Sequence, residues 1–139
     1  MKNFGKIKIT LSAYLPPIIW AGLIFFLSNQ SKLPSAPQPL LDLVFKQTAH
    51  VVVYAVLYFL IWRAINITAT NKLTRFKLIA LPLIITLIYA LTDEFHQSFI
   101  PGREATWIDI AFDMLGASIS HYLTHRQKEI HSGSHLYTK

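Results

Sequence analysis

Four apolar stretches, residues 11–28, 48–62, 78–92 and 107–123, restrict the folds open to this 139-residue chain. A bilayer-spanning helix needs roughly 20 mainly apolar residues, within about 17–25. The first and fourth stretches meet that length. The second meets it if it extends to Ile67. The third meets it if it starts at Phe76 and takes in Asp93 and Glu94, and then His96 and Gln97. That extension carries ionisable groups to membrane depth or its interface, where they are costly and need a reason.

A soluble four-helix bundle has the same helix count and short connections. Its helices would each present a charged face. Here charged residues make up 14% of the chain and hydrophobic ones 53%, against about 25% charged in soluble domains. The expected fold is therefore an all-α membrane protein, a four-transmembrane-helix bundle. It forms one domain over residues 1–125, followed by a flexible tail at 126–139. That tail contains His131, Ser132, Gly133, Ser134 and His135. Lys2, Lys6 and Lys8 resemble the basic start of a signal peptide. The apolar run after them exceeds the usual length of about 7–15 residues, and no A-x-A site follows, so it reads as a span. Pro16–Pro17 is expected to kink or delay the helix. Residues 33–42, LPSAPQPLLD, read as loop.

Of the 13 Lys and Arg residues, all but Lys32, Lys46 and Arg103 fall on one side of a four-span chain. The positive-inside rule makes that side cytoplasmic, with both termini in it. The net charge of +6 is thereby explained by topology, and no nucleic-acid partner is expected. Residues 29–47 and 99–105 then face outward. Cysteine is absent, which excludes disulfides and thiolate chemistry.

Residues 92–113, TDEFHQSFIPGREATWIDIAFD, concentrate the polar groups. Residues four apart share a helix face. Lys46, His50 and Tyr54 form one such row, Asp93 and Gln97 a second, Asp109 and Asp113 a third. At 1.5 Å per residue, Asp113 lies roughly 10 Å below a helix start near Thr106. Carboxylates facing lipid at that depth are unfavourable, so the rows should turn towards one another. The other half of the bundle offers little beyond Thr86, Ser118, Ser120 and His121. The pattern fits a polar pocket open to the outer face, not a continuous path through one copy.

Local structure accounts for part of this polarity. Thr106 and Asp109 fit a helix-capping pair. Pro101 and Gly102 make a tight turn. Arg103 fits a counter-ion to Glu94 or Asp109. His121 and His125, four apart, fit interfacial or dipole-stabilised histidines, a spacing that also suits a metal.

The series Asp93, Glu94, Gln97, Phe99, Pro101, Gly102, Arg103, then Asp109, Asp113 and Gly116, resembles the VanZ-like family of bacterial membrane proteins. Leu27–Ser28 and the row Lys46, His50, Tyr54 agree with it. The resemblance spans about residues 14–125. In one departure, Asp113 stands where Asn is the commoner residue, which adds a potential charge. The resemblance implies a multi-span protein of the bacterial cell membrane, linked to the envelope and associated with resistance to the glycopeptide teicoplanin.

Three functions fit these residues. The first is binding or remodelling of an envelope lipid or glycan precursor among the membrane lipids. Lys46 and Arg103 would hold its phosphate or carboxylate. Tyr54, Gln97 and Asp113 would line the same ligand site. The second is an enzyme at that site, with His50 or Glu94 as general base and Asp93 and Asp109 as partner carboxylates. Grouped carboxylates would share protons, pair with Arg103, Lys46 and His50, or hold a divalent cation. The spacing matches no dedicated metal motif, so no metal ligand and no resident cofactor is assigned. The third is a transporter or a subunit of one. The oligomeric state is not encoded in any of these features.

Overall fold

The computed structural model describes residues 2–31, 37–69 and 73–134, with side chains described over 5–31, 37–69 and 73–126. It contains four helices, α1 (Lys2–Ser28), α2 (Pro39–Thr68), α3 (Arg75–Gln97) and α4 (Trp107–Ser134). No strand occurs among the described residues. Local signals set the helix starts. Thr74 caps α3, its Oγ1 accepting the Lys77 N–H at 3.4 Å. Thr106 caps α4, accepting the Asp109 N–H at 3.2 Å.

Two local expectations change. The segment expected to be loop is helical from Pro39. Proline suits the first helical position, where its missing N–H needs no partner, and Asp42 in the first turn suits the positive helix start. Pro16 and Pro17 do not delay α1, which already begins at Lys2. A proline keeps helical φ, so the helix can continue through it despite the lost N–H and the crowding of the carbonyl four residues back. Helix α4 runs through Ser134, and residues 135–139, the rest of the expected tail, lie outside the described residues.

The packing is inverted relative to a soluble bundle. Trp107, Phe76, Leu40, Phe95 and Ile18 are exposed, while Thr86, Asp93, Glu94, Gln97, Asp109 and Asp113 are buried. An apolar outside around a polar inside is stable only when the surroundings are themselves apolar. Three helices, Gly5–Ser28, Pro39–Thr68 and Arg75–Gln97, are long and apolar enough to cross a membrane. Helix α4 is long, but Asp109, Asp113 and His121 dilute its apolar run.

Helix α2 is central and packs on α1, α3 and α4. It lies close against α4 at Gly116, where an added Cβ would lie 2.8 Å from the Val51 carbonyl carbon. Helices α1 and α3 meet little. Tyr89 Oη bridges them by donating to the Ala21 carbonyl at 2.6 Å. The ends of α1 and α3 and the starts of α2 and α4 gather at one end of the bundle, where Ser28 bonds Asp93 and Lys46 bonds Asp109.

Candidate functional site

The three polar rows meet at that end, and each finds a specific partner. On α3, Asp93 Oδ2 accepts from Ser28 Oγ of α1 at 2.9 Å, Tyr54 Oη of α2 at 3.2 Å and Gln97 Nε2 at 3.0 Å. One carboxylate oxygen thus ties three helices. On α4, Asp109 Oδ2 lies 2.8 Å from Lys46 Nζ, and its Oδ1 accepts from Gln47 Nε2 at 2.9 Å. One turn deeper, Asp113 Oδ1 lies 2.8 Å from His50 Nδ1. Asp109 and Asp113 are both 0% exposed. Carboxylates this deep keep a charge only with partners of this kind.

Glu94 closes the turn between α3 and α4. Its Oε2 accepts the Thr106 backbone N–H at 3.0 Å, one residue before α4 begins. In a reciprocal capping box, Asp109 would take that N–H. Glu94 supplies the acceptor instead, and the Asp109 carboxylate is released to Lys46 and Gln47. The turn itself closes through Arg103 N–H to the Ile100 carbonyl at 3.1 Å. Pro101 and Gly102 are its central residues, and Gly102 takes φ +83, the type II pattern.

Arg103 departs from its expected pairing. Its Nη2 donates at 2.9 Å to the Leu27 carbonyl at the end of α1. Helix ends leave carbonyls unsatisfied and carry partial negative charge, so a guanidinium within reach settles there. Asp109 has both oxygens engaged, and Glu94 has Oε2 on the Thr106 N–H. At the opposite half of the bundle, His121 Nδ1 lies 2.8 Å from Tyr58 Oη and its ring meets His125 edge-on.

Two cavities follow the seam where α1 faces α2 and α3. The first, about 610 Å³, lies at the polar end. Lys46, His50, Tyr54, Asp93 and Arg103 line it together with Ser28, Asp42 and Glu104. Its remaining wall is apolar, from Ile24, Leu27, Phe45 and Val53. The second, also about 610 Å³, occupies the other half and is walled almost wholly by apolar groups such as Ile18, Leu57, Ile61, Leu81 and Ile85. Gln97, Asp109 and Asp113 stand behind the polar wall, bonded to residues that line it or to their neighbours.

Sequence reasoning missed Gln47. It lies three residues before His50 and seven before Tyr54, which puts it on their helix face, and that spacing was a usable signal. The grouping of His50, Glu94 and Asp109, whose ligating atoms lie within 4.8 Å of one another, was also not assigned. The three come from separate helices, and no linear spacing encodes such a group.

The family model described as VanZ/LLP1 matches residues 13–127. No curated protein and no solved structure matches the chain.

Proposed function

We propose a function for this chain, which belongs to the VanZ/LLP1 family: it binds an anionic, lipid-linked envelope precursor at the outer leaflet of a bacterial cell membrane, and through that ligand contributes to glycopeptide resistance of the teicoplanin type. The observation that carries this reading is the pair of cavities along one seam. The polar cavity has Lys46 and Arg103 in its wall and matches a phosphorylated or carboxylated headgroup. The apolar cavity in the other half matches a hydrocarbon tail. Arg offers a planar fork suited to phosphate or carboxylate, and Lys a mobile point charge. Lys46 keeps one-third of its side chain exposed, so it can turn from Asp109 to an incoming anion.

The reading includes four spans with both termini cytoplasmic. Helix α4 supports it by turning Asp109 and Asp113 fully inward while Ile108, Leu115, Ile119 and Leu123 face out. Because cysteine is absent, single introduced cysteines report topology without background. Glu104→Cys should react with a membrane-impermeant maleimide on intact cells, and Thr74→Cys only after permeabilisation. The reverse pattern would sink the orientation.

Ligand binding is tested by titrating the purified protein with a polyprenyl-linked sugar phosphate in mild detergent. Arg103→Lys should weaken binding about tenfold, a loss of about 1.4 kcal/mol. Equal affinity for the variant, or no saturable binding by the parent, would remove the reading.

A membrane-embedded enzyme is the second reading, favoured by the His50–Asp113 contact. Hydrogen bonding of Nδ1 to a carboxylate orients an imidazole and leaves Nε2 for a substrate proton. An enzyme would convert the same lipid-linked compound, and His50→Ala or Glu94→Gln would stop turnover while binding survives. Product formation that persists in both variants would exclude these residues as acid–base groups.

A further inference from the structure

We propose that His50, Glu94 and Asp109 form a binding site for one divalent metal ion. Each residue comes from a different helix, α2, α3 and α4, and each can offer one ligand atom within 4.8 Å of the other two. Ligands about 2.0–2.2 Å from a zinc ion lie at most about 4.4 Å apart, so a small inward shift of these side chains closes the group around an ion. The group is not a surface accumulation of acids. Glu94 is 5% exposed and Asp109 is fully buried.

Two further observations point to a cation. Glu94 Oε1 is buried and has no hydrogen-bond donor from the protein, although Oε2 is engaged with the Thr106 N–H. A buried carboxylate oxygen without a donor is unfavourable, and a metal ion is one partner that would satisfy it. Behind His50 stands Asp113, with Oδ1 2.8 Å from Nδ1 and the outer oxygen Oδ2 also lacking a donor. A carboxylate on one ring nitrogen is the usual support of a histidine that ligates metal through the other. Four buried carboxylates, Asp93, Glu94, Asp109 and Asp113, gather here with Lys46 as the cation on Asp109. Such a group shares protons, pairs with the cations beside it, or holds a divalent ion.

One imidazole and two carboxylates suit Zn²⁺ or Mn²⁺, with waters or a ligand oxygen filling the remaining positions. Lys46 and Gln47 hold the two Asp109 oxygens, and Lys46 is the charged competitor of the ion there. With one-third of its side chain exposed it can withdraw, and metal binding would free it for an anion in the adjoining cavity. The metal site does not depend on the lipid reading, because the ion is measured alone.

The test uses the full chain in mild detergent, stripped with chelator and titrated with Mn²⁺. One Mn²⁺ per chain is expected, with a histidine nitrogen coupling in its electron-spin-echo spectrum. His50→Ala should abolish that coupling and the stoichiometric binding. Asp113→Asn, which keeps the shape and the hydrogen bond, should weaken affinity about 10–100-fold. Lys46→Ala should bind as tightly or more tightly, because a competitor is removed. Circular dichroism identifies any variant that fails to fold, and for such a variant the parent spectrum and Asp113→Asn decide. No stoichiometric Mn²⁺, Mn²⁺ without nitrogen coupling, or undiminished binding by folded His50→Ala would each overturn the proposal.

Discussion

Gly116→Ala should lower the stability of the detergent-solubilised protein by about 1–3 kcal/mol or more, the range for overpacking a close contact. An ideal Cβ there would fall far inside the van der Waals contact distance of the Val51 carbonyl oxygen and 2.8 Å from its carbonyl carbon. The obstacle is helix backbone, so no flexible side chain can move aside. Helices α2 and α4 would have to separate, and Lys46–Asp109 and His50–Asp113 bridge that same pair of helices. Gly22→Ala is the control. A Cβ at Gly22 meets nothing within 4 Å, and alanine in a helix interior is about 0.5–1 kcal/mol better than glycine. Thermal unfolding should show a marked fall for the first variant and none for the second. Equal midpoints would mean that α2 and α4 do not approach as described.

Asp93→Leu should be the most damaging change in the polar cluster. Ser28, Tyr54 and Gln97 all donate to Asp93 Oδ2, and all four residues are buried. Leucine leaves three donors without that acceptor, at about 1–3 kcal/mol each when nothing replaces it. Asp93→Asn keeps an oxygen at the junction and should be much milder. The contrast separates a structural junction from an acid–base group. A catalytic Asp93 would lose turnover equally in both variants with little change in stability. The geometry predicts the opposite, with stability tracking the acceptor oxygen.

The helices were readable from the sequence because apolar length and caps are local. Thr106 caps α4 as its T-x-x-D pattern indicated, and α3 takes in Asp93 and Glu94 as the length of a span called for, running on to Gln97. The inward turn of Lys46, His50 and Tyr54 towards the carboxylates of α3 and α4 followed from i, i+4 spacing and the penalty of facing lipid. Which acid each would meet did not follow. Lys46 could have paired with any of four carboxylates, and a shift of one helical turn between α2 and α4 decides between Asp109 and Asp113. The counter-ion reading of Arg103 fails because a counter-charge is visible in a sequence, whereas the unsatisfied carbonyl at Leu27 becomes visible only once α1 ends beside the turn. Glu94 as the acceptor for Thr106 was hidden for the same reason, since it depends on how the turn from α3 brings its carboxylate back to α4.

The proposed ligand of the polar cavity beside Lys46 and Arg103 is an anionic lipid-linked envelope precursor. Native mass spectrometry of the protein purified from its own membranes in mild detergent tests it most directly. A bound species is expected whose mass and fragments show a polyprenyl or acyl chain carrying a phosphorylated or carboxylated headgroup other than bulk phospholipid, with that species depleted in Arg103→Lys. Bulk phospholipid alone, in equal amounts on the parent and the variant, would contradict it.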